Sequence, residues 1–377
     1  MKRISQLDGI RGAAVGAVIL HHMASILNIG LGRNVVVLVL YRLLHVGWLG
    51  VDIFFVLSGF LITGIILKDR PKPNFWRNFY LRRAFRILPA FTVVFVVTLL
   101  MAHYLVPSMQ ISTSYVLAAI FFLANWTIVN FSEMPMLTHL WSLAVEEQFY
   151  FLWPQAAKRM SYTALFKLAL GLALGSALLR TALAMTHLNP YILYKITPTR
   201  MDGLAIGAAL AVGIQLPGVH AFLARWWKRI ALASIAMLVL SFLGLKFNLF
   251  AFDPWSQVLA IPPTVILVAM TIYASVEGLL PRAVDLFLKG SVITHLGRRS
   301  YALYLIHEPI NVAVHNSRMH GHLSHLPSGI GVNLLLMIAV VAVSLVLTEV
   351  SWHLIENPAQ KFRHKLGTAA TSQGAAV

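Results

Sequence analysis

Residues 7–29 read LDGIRGAAVGAVILHHMASILNI, an apolar run interrupted by one arginine, Arg11, and by the adjacent histidines His21 and His22. His22 follows Arg11 by eleven positions, and at 3.6 residues per turn that spacing returns nearly to the same azimuth. Both side chains therefore share one helix face, roughly 16 Å apart along the axis. Across a bilayer with an apolar core about 30 Å thick, Arg11 sits at one interface and His22 about halfway in. Polar groups at that depth are costly, which makes a functional reading the default. The bland reading is a histidine satisfied by a carbonyl of a neighbouring helix.

The composition agrees with a membrane setting. Apolar residues make up 58% of the chain and charged residues 11%, against about 25% charged in soluble domains. The Lys2-Arg3 start before an apolar run imitates a signal peptide. The run is too long for one, carries two histidines and has no convincing small-residue cleavage site, so it reads as a retained first span. The absence of cysteine excludes disulfides, thiolate metal sites and a cysteine-linked acyl intermediate. A net charge of +17 would suit nucleic acid, but in a membrane protein it reports topology and anionic lipid, and no nucleic-acid partner is expected.

Apolar segments fall near 10–29, 46–67, 87–106, 115–129, 140–158, 165–185, 200–215, 229–247, 258–275, 300–315 and 331–352. If 115–129 lies against the outer face without crossing, ten spans remain and both termini are cytoplasmic. That arrangement puts 23 of the 30 Lys and Arg residues on the inner side, as the positive-inside rule requires. The expected fold is an all-α polytopic membrane protein of about ten transmembrane helices. Residues 1–356 form one transmembrane domain, and 357–377 form a short cytoplasmic tail, disordered because it ends in a small-residue run. No internal repeat or inverted symmetry of the transporter kind is visible.

Six of the 13 acidic residues fall in or at the edges of apolar segments: Asp52, Glu146, Glu147, Asp202, Glu308 and Glu349. In the ten-span topology Asp52 and the Glu146-Glu147 pair approach the depth of His22, and Ser142 shares a helical face with Glu146. A carboxylate beside an imidazole orients it and raises its basicity, which suits a general base. A structural ion-pair cluster is the alternative. On the inner side, the polar gap 68–86 leads into Arg82, Arg83 and Arg86, placed at the start of the third span. Arg83 and Arg86 lie one turn apart at a helix N-terminus, where dipole and guanidinium forks both favour phosphate. Ordinary positive-inside decoration competes with that reading, and Arg11 on the same side strengthens it.

The implied layout is a channel with anion-binding arginines at its inner mouth and a base about 16 Å further out. Coenzyme A thioesters have the thin, phosphate-headed shape such a channel takes. Two further features are less specific. His315, His320, His322 and His325 lie within eleven residues and could bind zinc or copper; no acid or cysteine joins them, and no metal is expected. Tyr301, Tyr304 and His307 recur at three-residue steps, and either line a pocket or pack.

At these residues the chain resembles the membrane-bound acyltransferase family 3, whose members O-acylate sugars and other hydroxyl compounds. The resemblance rests on six strings in order. They are Leu7-Asp8-Gly9-Ile10-Arg11-Gly12 leading to His22, the run Gly50 to Ile62, the run Arg82 to Pro89, the run Trp141 to Tyr150, Arg200-Met201-Asp202, and the run Ser300 to His307. The family's basic-residue-to-histidine motif falls on Arg11 and His22, its paired arginines on Arg83 and Arg86, and its serine-to-glutamate motif on Ser142 and Glu146. The resemblance implies a ten-span fold of the bacterial inner membrane and acyl-coenzyme A, most simply acetyl-CoA, as donor. It also makes His22 the essential base, oriented by Glu146 or Asp52, with Arg11, Arg83 and Arg86 binding the donor. Ser142, Arg200, Asp202 and Tyr304 are candidate substrate contacts. Many relatives carry a fused extracytoplasmic hydrolase-like domain after the last span. This sequence shows none, so the membrane domain is expected to complete transfer alone or with a separate partner.

The expected activity is O-acylation of a cell-surface glycan or its lipid-linked precursor, by direct transfer or through an acyl-histidine relay. A macrolide-like small molecule is the second acceptor class. The rivals are a proton-coupled transporter using the buried acids and His22 as a relay, and an inactive relative that binds lipid or a partner.

Overall fold

The computed structural model describes residues 4–27, 35–106, 111–130, 133–186, 188–245, 252–327 and 329–363. All regular structure among them is helical. The α-helices are α1 (Ser5–Leu27), α2 (Val35–His45), α3 (Gly50–Asp69), α4 (Phe75–Leu105), α5 (Thr113–Ile120), α6 (Leu140–Arg159) and α7 (Tyr162–Ala184). They continue with α8 (Pro190–Lys195), α9 (Met201–Gly213), α10 (Pro217–Gly244), α11 (Pro254–Val276), α12 (Arg282–Lys289), α13 (Ser291–His320) and α14 (Ile330–Ser351). Several starts are written locally. Ser161 and Asp253 accept hydrogen bonds from Ala164 N and Ser256 N, and Asn189 accepts from Tyr191 N ahead of α8. Each satisfies one of the donors a helix leaves open at its beginning.

Each of the ten expected spans coincides with a helix, and seven are long and apolar enough to cross a membrane. The other three are α6, α9 and α13. Helix α9 has 13 residues, whereas α6 and α13 carry the polar side chains of the site described below. Segment 115–129 breaks into α5 and a 3-10 turn over Ala124–Asn130, with Phe122 at φ 54° between them. An eight-residue helix is about 12 Å long, too short to span.

Three expectations need correction. Residues 68–86 are not an open gap, because α4 already begins at Phe75. Arg83 and Arg86 thus stand in the third and fourth turns of a helix, not at its N-terminus, and the dipole contribution expected there is absent. Apolar patterning misses such turns because charged residues form helix as readily as leucine does. The tail is not disordered from residue 357. A π-turn over Trp352–Glu356 leads into helix through residue 363, with the Phe362 ring against Phe85 and Glu356 buried; residues 364–377 lie outside the described residues. The histidine group is divided, since α13 runs through His320, leaving His322 and His325 exposed in the following turns. Among the described residues it forms no cluster of metal-ligand geometry.

The helices pack in a bundle with α9 almost wholly buried, α3 and α11 the most enclosed of the long apolar helices, and α7, α10 and α14 the least. Leu232 and Leu240 of α10, and Leu335 and Val346 of α14, point outward, as lipid-facing positions do. Two seams hold the centre. On one, a Cβ at Gly9, Gly12 or Gly297 would overlap the carbonyl oxygen of Leu288, Ile293 or Asp8 respectively, so α1 lies backbone to backbone against α13 and the end of α12. On the other, Gly59 faces Leu204 O and Gly207 faces Val56 O, joining α3 to α9. Without a hydrophobic force between helices in lipid, this close approach of small residues supplies the packing. Amphipathic α12 caps the first seam: Gln6 Nε2 donates to Asp285 Oδ1 at 2.8 Å, and Lys289 Nζ is 2.6 Å from Asp285 Oδ2. Those hydrogen bonds, from Lys289 and then from Gln6, hold the Asp285 carboxyl below the usual carboxylate range.

The seam predicts a contrast within one helix. Gly12→Ala should destabilise the detergent-solubilised protein by about 1–3 kcal/mol through overpacking. Gly16→Ala, where nothing lies within 4 Å of an added Cβ, should leave the melting temperature unchanged or raise it.

Candidate active site

Because α1 is clamped to α13, His22 meets residues of α13. His22 Nδ1 lies 2.8 Å from His307 Nε2 and 3.2 Å from Glu308 Oε2, and the two imidazoles stack at 5.0 Å. The bond pattern assigns the protons. His307 Nδ1 is 3.2 Å from the Leu303 carbonyl, which only accepts, so Nδ1 carries hydrogen and Nε2 a lone pair. His22 Nδ1 is then the donor to His307 and Glu308, and His22 Nε2 keeps a lone pair. The group is thus arranged as a base whose tautomer is set from behind. Asn311 Nδ2 donates to Glu308 Oε2 at 3.2 Å and holds that carboxylate in place. The three side chains could also be read as metal ligands, but 2.8 Å between the ring nitrogens is a hydrogen-bond distance. Two nitrogens on one tetrahedral zinc stand roughly 3.3 Å apart.

Two cavities lie near this group. The larger, about 790 Å³, is lined by Arg11, Lys68, Arg83 and Arg86 and by the acids Asp8, Glu146 and Glu147. Its cations come from three helices, α1, α3 and α4. The Arg83 guanidinium lies 3.9 Å over the Tyr150 ring, and Arg11 is 3.8 Å from Asp8. Glu146 accepts from Ser58 Oγ at 2.8 Å and interacts with Arg83 and Arg11. The smaller chamber, about 70 Å³, is lined by His21, His22, His139, Lys195 and the rings of Trp48, Trp141 and Tyr194. Val51 and Tyr304 line both cavities. Tyr304 is held by Ser142 Oγ at 2.6 Å and by the His139 carbonyl at 3.1 Å.

The expected site residues are therefore only partly brought together. Arg11, Arg83 and Arg86 share one cavity although they come from distant parts of the chain, and Ser142 and Tyr304 stand at its junction with the histidine chamber. Neither proposed orienter of His22 reaches it. Glu146 belongs to the arginine cavity. Asp52 is fully buried and pairs with Arg200 at 2.9 Å, whose guanidinium is ringed by Phe55, Trp141 and Tyr194. Asp202 pairs with buried Arg180 at 2.7 Å. Arg200 and Asp202 are thus occupied as structural ion pairs, because a buried charge persists only where an opposite one neutralises it. The residues at His22 that sequence reasoning left unassigned are His307 and Glu308. Their signal was present: an acid inside an apolar segment, beside a histidine on the Tyr301, Tyr304, His307 stripe.

The geometry sets an oriented imidazole beside a small chamber that shares a wall with a large cationic cavity. A family described as an acyltransferase domain matches residues 4–349 of the sequence. The chain belongs to this acyltransferase family. Among its relatives is the peptidoglycan O-acetyltransferase OatA of Listeria monocytogenes, 34% identical over 226 residues, which cover 56% of this chain and 34% of OatA. A Staphylococcus aureus protein provisionally named an O-acetyltransferase is 27% identical over 390 residues, covering 96% of this chain and 58% of its own. YrhL of Bacillus subtilis, provisionally named a peptidoglycan O-acetyltransferase, is 28% identical over 380 residues, covering 94% and 54%. The chain thus spans less than two thirds of the length of these relatives. No solved structure matches it significantly. Within the family's span lie both cavities and the His22, His307 and Glu308 group.

The ion-pair assignment separates folding from chemistry. Asp52→Ala leaves Arg200 buried without its counter-charge and should cost about 3–5 kcal/mol, seen as loss of folded protein and a lowered melting temperature. His22→Ala, at a position whose side chain is 24% exposed and which carries no buried ion pair of that kind, should melt close to wild type.

Proposed function

We propose that this acyltransferase moves an acetyl group from acetyl-coenzyme A to a hydroxyl of a cell-surface glycan, peptidoglycan or its lipid-linked precursor, in the bacterial inner membrane. The observation that carries this reading is adjacency: the chamber of His22 shares a wall, Tyr304 and Val51, with a large cavity lined by Arg11, Arg83 and Arg86. Guanidinium groups suit the phosphates of a coenzyme A head, and the long arm of that molecule matches the roughly 16 Å between Arg11 and His22. Partition of Lys and Arg puts the arginine end on the cytoplasmic side, where acyl-coenzyme A is made. The glycan acceptor is drawn from the names of the relatives, two of which specify peptidoglycan.

The chamber volume favours a short acyl group. At about 70 Å³, against about 790 Å³ for the arginine cavity, the chamber beside His22 suits a two-carbon unit better than a fatty chain. In the reaction, His22 Nε2 takes the proton of the acceptor hydroxyl while its oxygen bonds to the thioester carbonyl carbon. The carbonyl electron pair moves to oxygen and returns as the carbon–sulfur bond breaks, and the thiolate recovers the proton from His22. His307 and Glu308 hold the ring and stabilise the imidazolium that forms between those steps.

Three measurements test this. With the full chain in lipid nanodiscs, His22→Ala should abolish coenzyme A release and ester formation on glycan. The Arg83→Ala/Arg86→Ala double variant should raise the KM for acetyl-CoA by about 10–100-fold, from loss of charge-assisted phosphate contacts; an unchanged KM removes their donor role. Octanoyl-CoA should turn over at least about 100-fold more slowly than acetyl-CoA, as a hydrophobic chain refused by a closed pocket.

A further inference from the structure

Among the described residues, Tyr304 is the one polar side chain that lines both cavities, and Val51 is its companion in the common wall. A thioester whose head sits among the arginines must present its carbonyl to His22 at this wall, so whatever group stands there meets the reacting atoms. Tyr304 approaches His307 at 5.6 Å between ring centroids, and His307 is stacked on His22.

The hydrogen bonds of Tyr304 have a redundancy that matters here. The His139 carbonyl lies 3.1 Å from Tyr304 Oη and 3.2 Å from Ser142 Oγ, while the two hydroxyls are 2.6 Å from each other. Two hydroxyl protons serve three contacts. The His139 carbonyl also accepts from Ser142 N at 3.3 Å, so the Tyr304 proton can turn elsewhere without leaving an orphaned group behind. A phenol in this position is a pre-aimed donor held in reserve.

We propose that Tyr304 is a catalytic residue that donates its hydroxyl proton as a hydrogen bond to the carbonyl oxygen of the thioester, with Ser142 as the positioning residue that holds its hydroxyl in place. The proposal rests on the acyl-transfer reading above. As the acceptor oxygen adds to the carbonyl carbon and His22 takes its proton, negative charge collects on the former carbonyl oxygen, and Tyr304 holds it there. The Tyr304 proton is shared, not transferred. When the carbonyl re-forms, the carbon–sulfur bond breaks, coenzyme A leaves with the proton from His22, and Tyr304 returns to the His139 carbonyl. Donors aimed at a developing oxyanion in a site closed to water typically contribute about 10²–10³ in rate.

The test exploits the absence of cysteine from the chain, so that a thiol-reactive dye reports released coenzyme A alone. Wild type, His22→Ala, Tyr304→Phe and Ser142→Ala are compared in nanodiscs with acetyl-CoA, with and without a chitooligosaccharide acceptor whose esters are read by mass. Tyr304→Phe keeps the ring and therefore the wall. It should lower kcat by about 100-fold while the KM for acetyl-CoA stays within about three-fold, since the lost contact is made only in the transition state. Ser142→Ala removes the hydroxyl that holds Tyr304 Oη at 2.6 Å and should lower kcat about five-fold. A Tyr304→Phe kcat within two-fold of wild type, or a loss confined to KM, overturns the role of Tyr304 and leaves the acyl-transfer reading standing. Wild type as silent as His22→Ala overturns that reading and this proposal with it. Should Tyr304→Phe fail to elute and melt as wild type does, Ser142→Ala decides alone, and an unchanged kcat there overturns the proposal.

Discussion

The site depends on how closely α1 can approach α13. Gly9, Gly12 and Gly297 let two backbones touch where any side chain would collide with a carbonyl, and that contact brings His22 against His307 and Glu308. In lipid such close packing has no hydrophobic competitor, so the seam both draws these helices together and orients His22. A slip of one residue along it would rotate His22 by about 100° and separate it from both partners.

Charge is divided into two populations around that seam. Asp52 with Arg200, and Asp202 with Arg180, are mutually neutralised and buried, and they fasten α3, α7 and α9 without facing either cavity. Arg11, Arg83 and Arg86 instead line one cavity in which the acids Asp8, Glu146 and Glu147 do not outnumber the cations. The first kind of charge costs desolvation and returns rigidity; the second is open to an anionic ligand. Which population a residue joins is decided by the partner the fold supplies, since both kinds occur inside apolar helices.

The sequence was legible where a one-dimensional period carries the information. The spacing of Arg11 and His22, the pair Arg83 and Arg86, and the pair Ser142 and Glu146 follow from 3.6 residues per turn, and each set does face a cavity. Reading failed where partners are distant along the chain. Asp52 and Glu146 approach the depth of His22 in a topology drawing, but depth says nothing of azimuth, and the side chain that reaches His22 is Glu308, 286 positions away. Helix ends were also misjudged, because apolar runs stop where lipid stops, whereas α4, α10 and α13 continue as charged helix beyond it.

By itself, then, the chain's order of residues determined an all-helical membrane bundle, an apolar first helix with a histidine deep inside it, and a concentration of arginines displaced to one end. Those follow from hydropathy, helical period and charge placement, each of which is local. Only the tertiary structure decided that His22 is oriented by His307 and Glu308, that Arg200 and Asp202 are withdrawn into ion pairs, and that Tyr304 stands between two cavities. Such pairings are set by which helix faces meet, and that is governed by where glycines permit contact, a property of two surfaces together.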